Sequence, residues 1–135
     1  MPFNASDEQL LHVARQYLTL TEKVRGLVSQ APDSVLSGSP ATVYLKKMGH
    51  RLLTADDTAA LIDALGTDEE KDLLIQFRQA QQALNERLER TKPTNLVFRQ
   101  ADIGYDQAYK RGKRPDLWKP EQMVQVLEVI RRLQL

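Results

Sequence analysis

Cysteine is absent from this chain of 135 residues. That absence removes disulfides, thiolate zinc sites and thiol nucleophiles together, and it fits a reducing compartment. Long apolar runs are also missing: the longest is Ala59-Ala60-Leu61-Ile62, far short of the roughly 20 residues a membrane-spanning helix needs. The start, Met1-Pro2-Phe3-Asn4, lacks the basic and then apolar pattern of a secretory signal. These absences lead us to expect a soluble cytoplasmic protein with no membrane contact. No glycine-rich phosphate loop and no Gly-x-Ser-x-Gly elbow occurs.

Histidine is scarce, with His12 and His50 alone. His12 shares a helical face with Glu8, Arg15, Gln16 and Thr19, and reads as an exposed partner of Glu8 four residues earlier. His50 sits among Lys46, Lys47 and Arg51, which disfavour both its charged form and a bound cation. Neither belongs to a full ligand set at i, i+3 or i+4 spacing. Asp56, Asp57 and Asp63 could be drawn as a Mg²⁺ cluster, but Asp56 and Asp57 fall in a helix first turn, where acidic residues serve the dipole and the cap. With no base beside a nucleophile, the expectation is a non-enzyme without metal or cofactor.

What is present is helical periodicity. Residues 67–92 carry the best-marked pattern. Thr67 with Glu70 forms a capping box, and Leu73, Phe77, Ala80, Leu84 and Leu88 make one stripe before Pro93 stops the helix. A second capping box, Ser6-Asp7-Glu8-Gln9, opens a helix expected to reach about Ser29, buried through Leu10, Val13, Ala14, Tyr17, Leu20, Val24, Leu27 and Val28. Ser39-Pro40 starts a helix predicted over 40–53, with Tyr44 or Leu45, Met48 and Leu52 inward and Lys46, Lys47 and His50 outward. Thr54 and Asp57 cap the next, which presents Leu61, Ile62 and Leu65 to the core and ends at Gly66 as a left-handed C′ residue.

Beyond Pro93, a helix from Thr94 competes with an extended Val97-Phe98 lead-in to a short helix over 103–111, capped by Gly112. Residues 113–119 read as a loop with Leu117 and Trp118 pinned to the core. Pro120 opens a terminal helix striped by Met123, Val124, Leu127, Ile130 and Leu133. The fold class is therefore all-α: a single domain over residues 1–135, built as a bundle or orthogonal array of five to six helices.

The net charge of +1 hides an asymmetry. Residues 1–86 hold eight Lys/Arg against twelve Asp/Glu, and residues 87–135 hold eleven against six. Within 54–72, Asp56, Asp57, Asp63, Asp68, Glu69, Glu70 and Asp72 face only Lys71. The protein-binding set expected there is Asp56, Asp57, Asp63, Asp68 and Glu69. In the basic part, Arg99, Lys110, Arg111, Lys113, Arg114 and Lys119 are interleaved with Tyr105, Tyr109 and Trp118, while Asp102, Asp106 and Asp116 dilute them. Cations beside stacking rings are what a single-stranded nucleic-acid surface uses; Arg87, Arg90, Arg131 and Arg132 would extend it. A helix-turn-helix around Gly66 is disfavoured, because Asp68, Glu69, Glu70 and Asp72 would lead its second helix into the phosphates.

The leading expectation is a non-catalytic helical interaction module, a subunit or adaptor of a larger protein assembly. The alternative is an accessory subunit that binds RNA or single-stranded DNA through 99–119, using Arg99, Tyr109, Lys110, Arg111, Lys113, Arg114, Trp118 and Lys119. Self-association stays open, since an apolar stripe that covers a neighbouring helix looks the same as one that covers a second copy.

Overall fold

The computed structural model describes residues 6–135, so the Met1-Pro2-Phe3-Asn4 start lies outside the described residues. Among these residues there are seven α-helices and no strand: α1 (Asp7–Arg25), α2 (Pro40–Lys47), α3 (Ala55–Leu65), α4 (Asp68–Glu89), α5 (Thr94–Gln100), α6 (Tyr105–Lys113) and α7 (Pro120–Leu133). Short 3-10 turns lie at Val28–Gln30, Asp33–Val35 and Pro115–Leu117. The all-α class is as the periodicity predicts. The helix number exceeds five to six because residues 94–113 hold two helices. The chain divides into two compact units, one made of the residues up to Leu18 with Ile75–Leu135, the other of Thr19–Leu74.

In the Thr19–Leu74 unit the buried apolar side chains are Leu20, Val24, Val28, Ala31, Leu36, Val43, Leu61, Ile62 and Leu74. Helix α1 stops at Arg25 rather than near Ser29. The Gly26 N–H is shared between the Glu22 and Lys23 carbonyls, and the chain tightens into the 3-10 turn that follows. Helix α2 is capped by Ser39, whose hydroxyl accepts from the Thr42 N–H, but it ends at Lys47 rather than 53. Gly49, at φ +79°, closes it: the His50 N–H bonds back to the Leu45 carbonyl and the Gly49 N–H to that of Lys46. This is the left-handed stop that glycine adopts without steric cost.

The inward face of α2 is the opposite of the one expected. Val43 and Lys46 are buried, whereas Tyr44, Leu45, Met48 and Leu52 are exposed. In α3 the Thr54–Asp57 capping box forms in both directions, at 3.0 Å each way. Leu61 and Ile62 point inward as expected, but Leu65 is exposed. Gly66 is extended (φ −77°, ψ 159°) rather than left-handed. Its lack of a side chain still matters, because a Cβ there would lie 2.5 Å from the Ile62 carbonyl oxygen. The Thr67–Glu70 box opens α4 as predicted: the Thr67 N–H donates to Glu70 and the Glu70 N–H to the Thr67 hydroxyl.

In the other unit α4 ends at Glu89, and its buried row is Phe77, Ala80, Gln81, Leu84 and Leu88. Leu74 replaces Leu73 at the start of that row. Tyr17 stacks on Phe77 with ring centroids 3.9 Å apart. Arg87 grips Asp7 through Nε (2.9 Å) and Nη2 (3.2 Å) and also donates to the Leu135 carbonyl and the Thr91 hydroxyl. Val97 and Phe98 are helical, not extended. Val97 is fully buried on α5, which packs on α7, so packing overrides β propensity. Asp102, at φ +59°, turns the chain between α5 and α6 with the Ile103 N–H bonded to the Phe98 carbonyl. Helix α6 runs through Gly112 rather than stopping there. The α7 core row is Met123, Val126, Leu127, Val129 and Ile130, with Val124 and Leu133 half-buried.

Candidate functional site

The acidic residues of the Thr19–Leu74 unit separate into two kinds. Asp56, Asp63, Asp68 and Glu69 are exposed. Asp57 is only 1% exposed and belongs to the interior, so it leaves the expected protein-binding set. Its Oδ2 accepts from Lys46 Nζ at 2.6 Å and from the Thr54 N–H at 3.0 Å, and its Oδ1 accepts from the Ser37 N–H at 2.8 Å and the Ser37 hydroxyl at 3.0 Å. Burial pushes this carboxyl up. The Lys46 ammonium and the Ser37 and Thr54 donors together outweigh burial and hold it well below the usual carboxylate range.

Lys46 uses its three protons on Asp57 Oδ2, the Ser37 carbonyl (2.8 Å) and the Ser37 hydroxyl (3.1 Å). A serine beside a lysine and an aspartate resembles a nucleophile with its base, but the chemistry runs the other way here. Each hydrogen bond of the Lys46 nitrogen runs outward as a donor, the one to the Ser37 hydroxyl included, which is the reverse of a base taking the serine proton. The hydroxyl donates to the carboxylate and accepts from the ammonium, which ties up its oxygen. The trio acts as a polar clamp between the Ser37 loop, α2 and α3.

That clamp turns the apolar side of α2 outward. Tyr44 and Leu45 each meet the C-cap residue Met48 one turn on, at i+4 and i+3, and Leu52, beyond the Gly49 turn, is 85% exposed. Sequence periodicity misplaced this surface, since apolar side chains at helical spacing normally mark the core. The signal against it was Lys46 sharing the stretch with a capping aspartate eleven residues on.

In the other unit, the basic segment also divides. Arg111 is buried: its Nε donates to Gln122 at 2.9 Å, its Nη1 to the Gln107 carbonyl, and its guanidinium lies 5.7 Å from the Trp118 ring centre. Burial lowers its pKa. Trp118 is 2% exposed and donates Nε1–H to the Asn85 side-chain carbonyl at 2.7 Å, while Asn85 donates to the Arg111 carbonyl at 2.8 Å. Gln81 donates to the Trp118 carbonyl at 2.7 Å. Arg111 and Trp118 therefore hold α6 and the following turn in place and are withdrawn from the expected contact set.

Arg99, Tyr109, Lys110, Lys113, Arg114 and Lys119 are exposed, with Arg114 paired to Asp116 at 2.6 Å. A groove of about 500 Å³ runs beside α5 and α6, lined by Phe98, Arg99, Ile103, Tyr105, Ala108 and Tyr109, with Asn95 completing it. In the sequence Tyr105 reads as an interleaved ring or, with Tyr109, as part of the stripe of a helix from Thr94; the groove the two share was not legible there.

His12 and His50 are both exposed. Among the described residues no group of three His, Asp or Glu side chains is placed to hold a metal ion, and no helix is long and apolar enough to cross a membrane. No protein-family model, curated protein or solved structure matches the chain.

Proposed function

We propose that this chain is a non-catalytic helical interaction module, a subunit or adaptor of a larger protein assembly, and that it docks a protein partner through the outward face of α2. The observation that carries this reading is the set of apolar side chains at helical spacing, Tyr44, Leu45 and Met48, exposed by 62%, 37% and 54%, with Leu52 just beyond the helix exposed by 85%. Contiguous apolar side chains left in water are characteristic of protein contact sites, whereas scattered ones are not. Tyrosine and methionine are also enriched at interfaces, where they bury large area and adapt their shape.

The buried Lys46–Asp57 pair supports the reading from inside. It turns Lys46 inward on α2 at the expense of the apolar residues, a costly arrangement for a helix with no use for its outer face. Exposed Asp56, Asp63, Asp68 and Glu69 belong to the same compact unit and would let it select a partner by sign.

The test is affinity capture with the whole chain from its native host, beside a Tyr44→Ser/Met48→Ser variant. A stoichiometric protein partner, retained by the unaltered chain and lost by the variant, is the expected result. Equal recovery by both would overturn α2 as the docking face.

A further inference from the structure

We propose that the groove beside α5 and α6 binds single-stranded nucleic acid, stacking bases on Tyr105 and Tyr109 and holding the backbone with Arg99 and Lys113. This site lies in the other unit from the α2 face and stands independently of the adaptor reading. Tyr105 and Tyr109 line one groove and are 78% and 59% exposed. Tyrosine rings so far in water do nothing for a core, and their π-faces are the surface on which any base can stack. The floor is apolar, from Phe98, Ile103 and Ala108, which suits a planar ring removed from water. At about 500 Å³ the groove falls within the roughly 300–1,000 Å³ of ligand sites.

The cations are placed to match. Tyr105, Tyr109 and Lys113 follow one another at intervals of four on α6, forming one stripe, and Lys113 Nζ lies 5.6 Å from the Tyr109 ring centre. That ammonium lies over a face of the Tyr109 ring, so a base stacking there would displace it toward the strand's own phosphate. Arg99 contributes from α5, on the same groove. Lys110 sits one turn after Asp106 on the adjacent stripe, and Asp102 turns the chain between the helices, so the local charge is moderated rather than uniformly basic. Arg111 takes no part because its guanidinium is held inward.

This arrangement favours a strand with bases over an acidic peptide. Carboxylates would use the cations and leave both tyrosines idle. It also favours a single strand over a duplex, whose bases are stacked away from a groove wall. With about two phosphates engaged, log K against log salt should fall with a slope of about −1.4 on single strands.

The experiment is fluorescence anisotropy of labelled oligo(dT) and oligo(U) of about 12 nucleotides with the whole chain, titrated with salt from about 20 mM upward. Binding with that slope is expected, weakened about tenfold or more by Tyr105→Ala or Tyr109→Ala. Lys113→Ala should reduce the slope by about 0.7. Both tyrosines are exposed, so circular dichroism should show the variants folded. A preference between the two oligomers identifies DNA or RNA as the natural source of the strand. No binding at about 20 mM salt, binding indifferent to both tyrosine variants, or displacement of the oligomer by poly-glutamate at equal charge would each overturn the proposal.

Discussion

The Lys46 ammonium lies 2.6 Å from the Asp57 carboxylate, and the two side chains are only 5% and 1% exposed. Two opposite charges so far out of water are stable only if their remaining hydrogen-bonding capacity is met. Ser37 and Thr54 meet it, and among the described residues no buried side-chain polar atom lacks a partner. The pair links α2 to the cap of α3 and decides which face of α2 meets the core.

Removing one partner should therefore cost far more than removing both. Lys46→Ala is expected to destabilise the chain by about 3–5 kcal/mol, since it strands a buried carboxylate. Lys46→Met/Asp57→Leu should cost only about 1–2 kcal/mol, set mainly by the lost Thr54 capping box. Urea unfolding followed by circular dichroism measures both. A double variant no better than the single would refute the clamp.

Acid should weaken the protein through the same carboxylate. Asp57 is held below the ordinary range in the folded state, so its contribution is complete above its unfolded pKa of about 4 and is lost as pH falls below it. Glu70, lowered by its hydrogen bonds from Lys23 and the Thr67 N–H, acts in the same direction. Between about pH 5 and about pH 3 the urea midpoint of the natural chain should fall more steeply than that of Asp57→Asn. Parallel curves would mean that another group governs the acid limb.

Two glycines should respond oppositely to alanine. At Gly66 a Cβ would meet the Ile62 backbone oxygen at 2.5 Å, so Gly66→Ala should cost about 1–3 kcal/mol. At Gly112, inside α6, a Cβ meets nothing within 4 Å, and Gly112→Ala should stabilise by up to about 1 kcal/mol. Thermal unfolding of the two variants checks the signs.

Trp118 is the only tryptophan, so its fluorescence reports directly on the packing around α6. Asn85→Ala removes the partner of both the indole N–H and the Arg111 carbonyl. It should cost about 1–3 kcal/mol and red-shift the emission as water reaches the ring. An unchanged spectrum with unchanged stability would show that the bridge contributes nothing.

Helix starts were the most legible part of this chain. Thr54 with Asp57, Thr67 with Glu70, and Ser39 before Pro40 each satisfy local N–H groups with atoms three residues away or closer, so their sequence spacing alone specifies them. Helix ends were less legible. Gly49 and Asp102 stop their helices by left-handed turns, while Gly112, an equally plausible stop, is passed through. In the charged stretches, the expected contact sets held Arg99, Tyr109, Lys110 and Lys113, which are exposed, but also Asp57 and Arg111, which are buried; Trp118 was expected both in the core and in the contact set, and it lies in the core.

By itself, then, the amino-acid order determined the all-α class, the capped helix starts and the opposed charge of its two parts, because these depend on contacts a turn or less apart or on composition. Tertiary structure alone decided which charges are spent inside. Lys46 meets Asp57 across eleven residues, and the Trp118 indole meets Asn85 across 33. Whether a long polar side chain faces water or a buried partner depends on what another helix brings within 3 Å of it. Periodicity along one helix carries no record of that.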